Sequence, residues 1–206
     1  NSIRNSLKKH NNLPREELEE ISSTYTYEYL LAIINSTFAN KYLNAIRRHK
    51  LNNYFYPDDF RALPIKKNYK QHLFEKLVNL IQFLYYLDSE YSSYFDEDLL
   101  DSLVYELYFK DKFVEDGTYS GIKIDLASLL EGCIPKIKYD EWSALYWKKK
   151  LGEDLSPKEE QSLNSLEKDN LEIIKSTYDT LTKNKEIAEL INRIKSNDWI
   201  KLIEGQ

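Results

Sequence analysis

The sequence predicts a mainly α-helical fold, and two observations carry that prediction. Glycine and proline together make only ten of the 206 residues, so few positions interrupt a periodic segment. Apolar residues recur at steps of three and four along most of the chain, whereas alternating strand patterns are scarce. Together these features indicate long helices joined by turns, with an ordered aromatic and proline loop and at most a short hairpin.

The first third of the chain predicts two helical segments and the aromatic loop. Pro14 begins a short helix over residues 15–21, with acidic residues near its N-terminus. Apolar positions over residues 26–49 predict one buried helical face, and the polar residues 35–37 mark a point where the helix can break. Residues 52–67 carry aromatics and two prolines without a helical period, which predicts an ordered loop.

The rest of the chain also predicts helices. One is expected over residues 69–87, and Asp96 is expected to cap another over residues 97–109. The residues of the first that we expect to face inward are Leu73, Leu77, Leu80, Ile81 and Leu84. The segment 112–136 holds three of the five glycines and is expected to be irregular, with a short hairpin at most around its first two glycines. A capping box that begins at Ser156 marks the start of a further long helix. The last three predicted helices span residues 139–151, 157–182 and 185–194.

Composition excludes several classes of protein. The single cysteine, Cys133, has no partner for an internal disulfide, and three dispersed histidines do not make a histidine-rich metal site with it. No apolar run approaches the roughly 18 to 20 residues that span a bilayer, so we expect a cytoplasmic protein without membrane contact. Because the sequence contains no methionine, we expect that it is a piece of a longer protein.

Charge is distributed unevenly along the chain. Residues 41–85 carry nine basic and three acidic side chains, a net charge of +6. Residues 86–131 carry three basic and twelve acidic side chains, a net charge of −9, so the overall −5 conceals a basic segment. Since local fields decide where a polyanion approaches, the basic segment is the candidate contact surface for nucleic acid.

The motifs of several enzyme classes are absent from the sequence. The five glycines stand singly, so neither a P-loop nor a dinucleotide fingerprint is present. No Asp or Glu lies two residues before a Lys, the pattern typical of metal-dependent nucleases, and no Pro-Pro pair occurs. The acidic cluster around Asp96 and Asp101 fits helix capping better than a calcium loop. His49 has no nearby nucleophile, and Cys133 fits a small core residue.

Five short segments between residues 29 and 65 resemble one known family. They contain an apolar helix that ends in Asn-Ser, a basic stretch and a Leu-Pro-Ile loop. The family is the TaqI-like C-terminal specificity domain of adenine-N6 DNA methyltransferases and fused restriction-modification enzymes. Ile34 stands where the family has leucine, and Lys66 stands where it has a second proline. The matching segments are residues 29–36, 40–43, 47–50, 56–60 and 63–65.

Two later segments add to the resemblance. Residues 100–108 are similar to the family's Asp-x-x-Val-Tyr-x-Leu-Tyr helix, which here begins at Asp101 and ends at Tyr108. Phe109 follows where the family commonly has glycine. Residues 199–204 are similar to the C-terminal end of the family's domain.

The resemblance implies a two-part enzyme. An upstream catalytic domain would bind S-adenosylmethionine and modify a flipped-out adenine, and a downstream domain would recognise the DNA sequence. This chain resembles only the helical C-terminal part of that target-recognition domain, so it would hold no catalytic residue, metal or cofactor. Magnesium would be required only by a nuclease domain in the parent protein. The implied partners are double-stranded DNA and the catalytic domain of the same chain.

The basic stretch at residues 41–76 supplies both kinds of side chain that DNA contact needs. Cations bind phosphates, and amides recognise base edges. Arg47 and Arg48 also fall at an expected helix C-terminus, where cations are favourable to the helix dipole whatever they bind. The predicted DNA-binding residues are Lys41, Asn44, Arg47, Arg48, His49, Lys50, Asn53, Tyr54, Tyr56, Arg61, Lys66 and Lys67.

We expect two parts in the chain. Residues 1–136 form the helical segment that resembles the specificity domain, and residues 137–206 form a C-terminal helical extension packed on it. The alternative function is a helical docking module, which binds another protein or its own catalytic domain through the basic stretch, without direct DNA contact.

Overall fold

The fold is mainly α-helical, as predicted. A computed structural model describes residues 14–46, 55, 57–68 and 70–205, and within these ranges no β-strand occurs. Across the same ranges, no helix combines the length and the apolarity needed to cross a bilayer. In chain order the helices are α1 (Arg15–Ser23), α2 (Tyr27–Asn35), α3 (Thr37–Ile46), α4 (Pro57–Arg61), α5 (Gln71–Tyr86), a π-helix (Tyr94–Leu100), α6 (Asp101–Glu115), α7 (Leu126–Leu130), α8 (Tyr139–Lys150), α9 (Pro157–Lys183), α10 (Lys185–Ser196) and α11 (Asp198–Glu204).

The break between α2 and α3 occurs at Ser36, inside the polar interval that the sequence marked. The buried Ser36 hydroxyl donates to the Ile33 carbonyl at 2.7 Å and accepts from the Ala39 amide at 3.2 Å. One side chain therefore satisfies backbone groups of the helix that ends and of the helix that begins. The capping box at the start of α9 is also confirmed, with Ser156 and Glu159 each accepting from the other's amide.

Three sequence-based expectations are wrong. The segment expected to be a loop contains the short helix α4, which begins at Pro57. Asp96 lies inside the π-helix instead of capping a helix from residue 97, and its carboxylate accepts from the Tyr85 hydroxyl at 2.5 Å. That hydrogen bond, with burial, raises the pKa of Tyr85 to about 12. The glycine-rich segment forms turns at residues 116–121, not a hairpin.

Helix α5 forms the centre of the core. All five of its predicted inward residues are buried, and α2 packs along one side of it. Helix α8 packs at its C-terminal end, where the Phe83 and Trp142 rings meet edge to face at 4.7 Å. Both of these aromatic side chains are fully buried. The five inward residues are Leu73, Leu77, Leu80, Ile81 and Leu84.

The C-terminal helices return to the first half of the molecule. Helix α10 packs against α6 and α7, and α11 packs against α3. Lys195 of α10 forms an ion pair with Asp98 of the π-helix. Asn197, between α10 and α11, donates to the Asp116 carboxylate at 2.7 Å. Helices that follow residue 137 therefore pack against α3 and α6. The domain boundary expected at residue 136 stays a prediction.

Two buried carboxylates of α6 bind the N-termini of helices distant in sequence. Asp101 accepts from the Thr37 amide at 2.8 Å, at the start of α3. Glu106 accepts from the first two amides of α7 at 2.7 and 2.9 Å, and from the Tyr119 hydroxyl. Burial raises the pKa of Asp101 to about 6 and also raises the pKa of Glu106. The acidic cluster thus has structural roles, although not the local capping role predicted for Asp96.

Candidate nucleic-acid interface

The loop at residues 62–66 is held by three tyrosine hydroxyls from three different helices. We call it the tyrosine-bound loop. The tyrosines come from α2, α3 and α6, and each donates a hydrogen bond to a loop carbonyl. The pairs are Tyr42 with Ala62 at 3.1 Å, Tyr108 with Pro64, and Tyr29 with Lys66.

The bound carbonyls belong to every second residue of the loop. In an extended chain, alternate residues present their groups to the same side, so one edge of the loop faces the tyrosines. Leu63 is buried between them and fixes the loop to the core. Lys66 and Lys67 are exposed, so their side chains extend into solvent from a backbone that the core holds in place.

All three tyrosines pack against another aromatic ring, and Tyr29 and Tyr108 do so at shorter distances than Tyr42. The fully buried Tyr29 ring meets Phe74 edge to face at 5.1 Å, and the Tyr108 ring packs on Phe38 at 4.4 Å. Burial raises the pKa of Tyr29 and of Tyr108. Both hydroxyls therefore stay protonated donors at neutral pH, so the loop keeps these hydrogen bonds.

Lys66 and Lys67 line a cleft of about 190 Å³ together with two further lysines, Lys70 and Lys110. Lys70 is buried, and its ammonium donates to the Ser128 hydroxyl at 2.7 Å and lies 3.0 Å from the Glu131 carboxylate. These contacts give Lys70 a structural role at the base of the cleft.

Lys110 forms an ion pair with Asp125 on the other wall of the cleft. Burial alone would raise the pKa of Asp125, but hydrogen bonds from Lys110 and Ser128 lower it to about 2. Asp125 is therefore ionised at neutral pH and balances Lys110. By contrast, neither Lys66 nor Lys67 pairs with a carboxylate within the part of the chain that the structure describes. These two lysines are therefore cations of the cleft without an ion-pair partner in the described ranges, and Asp111 also lines the cleft.

The other described members of the predicted DNA-binding set lie apart from this cleft. Lys41 is on α3, and its ammonium donates to the Glu204 carbonyl at the end of α11, 2.7 Å away. Asn44 donates to the Asn40 carbonyl one turn earlier at 2.8 Å. Arg61 ends α4 and is half-buried. Seven predicted residues lie outside the described ranges: Arg47, Arg48, His49, Lys50, Asn53, Tyr54 and Tyr56.

Sequence reasoning missed two contributions to this surface. Lys110 belongs to the acidic segment, so its charge gave no signal of proximity to Lys66. The Leu-Pro-Ile loop and the helix that ends at Tyr108 are separate motifs in the sequence, which gave no sign that the Tyr108 hydroxyl binds the Pro64 carbonyl. The signal that joins them is tertiary, since 44 residues separate Tyr108 from Pro64.

The described residues contain no group of three or more histidine, cysteine or acidic side chains that could hold a metal ion. Cys133 is half-buried, and its thiol donates to the Leu129 carbonyl at 3.3 Å. Its contacts fit the core role that the sequence suggested.

Comparison of the chain with protein-family models, with curated proteins and with solved structures finds no match in any of the three.

Proposed function

We propose that this chain binds double-stranded DNA through the tyrosine-bound loop, as the sequence-recognition part of a site-specific adenine-N6 DNA methyltransferase of a restriction-modification system. The observation that carries the proposal is the pair Lys66 and Lys67, which are exposed and uncompensated on a loop with a fixed backbone. The segment itself performs no chemistry in this proposal.

A fixed basic loop suits contact with the DNA backbone. Ordering a flexible loop on binding costs free energy, and a loop already held by the core avoids most of that cost. Lysine ammonium groups bind phosphates and set the register of a protein on the duplex, without reading the sequence themselves. In this proposal Lys66 and Lys67 position the protein, and the amides of Asn44 and Asn53 remain the predicted readers of base edges.

The motifs that carry the family resemblance are largely the residues that build this loop. Leu63 and Pro64 belong to the Leu-Pro-Ile segment, and Tyr108 ends the Asp-x-x-Val-Tyr-x-Leu-Tyr helix. Asp101, which begins the same motif, holds the start of α3. In this proposal the motifs specify a scaffold for DNA contact. S-adenosylmethionine would be bound by an upstream catalytic domain, and magnesium would be needed only by a nuclease domain.

Duplex binding by this chain is the first test. Fluorescence anisotropy with a labelled duplex should show weaker binding by Lys66→Ala/Lys67→Ala and a salt slope lower by about 2, because two phosphate contacts are lost. The matched control is Lys168→Ala/Lys175→Ala, which removes two exposed lysines of α9. Equal loss in both double variants would indicate a nonspecific charge effect, and no loss in the first would exclude the loop from the interface.

Methyl transfer by the intact parent protein tests the wider proposal. Transfer from labelled S-adenosylmethionine to duplex DNA should be seen with the intact reading frame, and should be lost when the protein ends before Asn1. In the same intact protein, Arg47→Ala with Arg48→Ala should weaken DNA binding at unchanged melting temperature. An intact protein that neither transfers methyl groups nor binds duplex would contradict the family assignment.

A helical docking module is the second candidate, and one observation favours it. Trp199 and Leu202 of α11 are more than half exposed and lie three residues apart, so they form an apolar pair on the surface. A partner protein that binds there would be insensitive to duplex competition. Loss of partner binding on adding duplex would favour the DNA-binding proposal instead.

A further inference from the structure

Three aromatic side chains form an exposed surface where the C-terminal ends of α5 and α8 meet. We call Tyr86, Tyr146 and Trp147 the aromatic platform. The Tyr86 ring lies 5.2 Å from Trp147 and 5.3 Å from Tyr146, centre to centre, and the Tyr146 and Trp147 rings are 5.5 Å apart. Trp147 is 41% exposed and Tyr86 is 39% exposed. The platform therefore presents aromatic surface to solvent that the core does not use.

A buried tryptophan, Trp142, packs against two rings of the aromatic platform. Trp142 has no exposed surface, and its ring stacks on Tyr146 with centroids 4.7 Å apart and planes at 28°. The same indole lies 6.0 Å from Tyr86. Rings that are already fixed lose little conformational entropy when a ligand binds, so this surface is preorganised.

Positive charge borders the platform. Lys148, Lys149 and Lys150 follow Trp147, and Lys148 forms an ion pair with Glu159 at 2.8 Å. Lys149 and Lys150 are exposed, and within the described ranges neither pairs with a carboxylate. The Lys150 ammonium lies over the Tyr146 ring, 6.0 Å from its centre. Lys150 therefore places its ammonium beside the aromatic platform, and the exposed Lys149 lies next to it in the sequence.

We propose that the aromatic platform, with Lys149 and Lys150, binds single-stranded nucleic acid. One base would stack on Trp147 and another on Tyr86, whose ring planes lie at 84° to each other, and phosphates would pair with the two ammonium groups. Every base has an aromatic face, so binding of this kind tolerates different sequences. This combination of stacking rings and cations fits a polyanionic strand better than an apolar peptide, because hydroxyl and ammonium groups interrupt the apolar surface.

The platform is separate from the tyrosine-bound loop. The loop precedes the N-terminus of α5 and the platform lies at its C-terminus, and 16 helical residues span about 24 Å. The proposal therefore goes beyond duplex binding and does not depend on it. Binding of a strand at the platform and binding of a duplex at the loop are measured with different probes and altered by different substitutions.

The test uses this chain and a fluorescein-labelled oligothymidylate of about 15 nucleotides, a length that covers one typical binding site. Trp147→Ala should weaken binding about 5- to 100-fold, since that is the range for losing one stacked base. Trp147→Phe should recover part of the loss, because phenylalanine also stacks. The matched control is Tyr27→Ala, which removes an aromatic ring of α2 that is 72% exposed and should leave binding unchanged.

An abasic strand of equal length separates stacking from charge. It should bind the wild type more weakly than oligothymidylate does, and Trp147→Ala should not affect it. Lys149→Ala/Lys150→Ala should weaken binding of both strands. Equal binding of the abasic strand and oligothymidylate, or wild-type affinity of Trp147→Ala, would overturn the proposal. No binding of oligothymidylate by the wild type would also overturn it and leave the surface to a protein partner.

Discussion

Two irregular parts of the molecule are held in place by different chemistry. The tyrosine-bound loop is bound by neutral hydroxyls, whereas the first two amides of α7 and the Tyr119 hydroxyl are bound by the carboxylate of Glu106. A buried tyrosine whose pKa is raised stays a donor across the neutral range, but a buried carboxyl whose pKa is raised changes charge under mildly acidic conditions. The hydrogen bonds of the basic loop are therefore insensitive to pH, whereas those made by the α6 carboxylates respond to it.

Replacing Glu106 should have the largest effect on stability of all the substitutions considered, because its carboxylate binds the start of α7 and Tyr119. Glu106→Ala leaves two backbone amides of α7 and the Tyr119 hydroxyl without their acceptor, so we expect a loss of about 3 kcal/mol or more in the free energy of unfolding. Urea unfolding measures it. Glu115→Ala, at an exposed position of the same helix, is the control and should change stability by less than about 0.5 kcal/mol. A loss below about 1 kcal/mol for Glu106→Ala would contradict the role assigned here.

The second largest effect should be a pH dependence of stability caused by Asp101. Because the pKa of Asp101 in the folded protein is about 6, above its ordinary 3.8, the folded state holds this proton more tightly than the unfolded state. The contribution of Asp101 to stability is therefore complete below about pH 4 and falls by up to about 3 kcal/mol as the pH rises to 6.

Asp101→Asn removes this titration while keeping an oxygen that accepts from the Thr37 amide. The variant should gain about 2 to 3 kcal/mol relative to wild type between pH 4 and pH 7, measured by urea unfolding at both values. A difference between the two proteins that stays constant with pH would show that Asp101 has an ordinary pKa.

The tyrosine-held loop should respond less, and without pH dependence. Tyr29→Phe and Tyr108→Phe each remove one hydrogen bond to a loop carbonyl, and each should cost about 1 kcal/mol at pH 5 and at pH 8 alike. Tyr27→Phe is the control, since that ring is 72% exposed. Thermal or urea unfolding gives the stability, and a cost that varied with pH would contradict the insulation of the loop.

Tyr42→Phe should have the smallest effect. Its hydroxyl lies 3.1 Å from the Ala62 carbonyl in an exposed position, so water replaces the lost donor. We expect a loss of no more than about 0.5 kcal/mol by urea unfolding. A loss larger than that of Tyr29→Phe would reverse the order of importance assigned to the three tyrosines.

The sequence was sufficient to predict most helices because their determinants are local. Apolar spacing marks the buried face of α5, and the Ser156 capping box marks the start of α9. The π-helix was not predicted, because the sequence pattern around Asp96 suits the start of an ordinary helix equally well. Helix α4 was missed because five residues are too few to display a helical period.

The interface could be predicted only in part, since its geometry depends on contacts between distant residues. The excess of lysine drew attention to Lys66 and Lys67, and the structure places both on one cleft. The sequence did not show which lysines have partners, because Lys41 and Lys70 bind groups that lie 163 and 58 residues away. The buried carboxylates escaped notice for the same reason, since Thr37 and Asp101 are 64 residues apart.

The contact between α3 and α11 also imposes an order on events during protein synthesis. Lys41 and Tyr105 both complete their hydrogen bonds with Glu204, and Asn197 reaches back to Asp116. A chain leaving the ribosome presents α3 and the basic stretch long before it presents α11, so α3 waits for partners that are translated about 160 residues later. Helix α3 therefore reaches its final packing only after about 160 further residues have emerged. During that interval the basic stretch is accessible to polyanions.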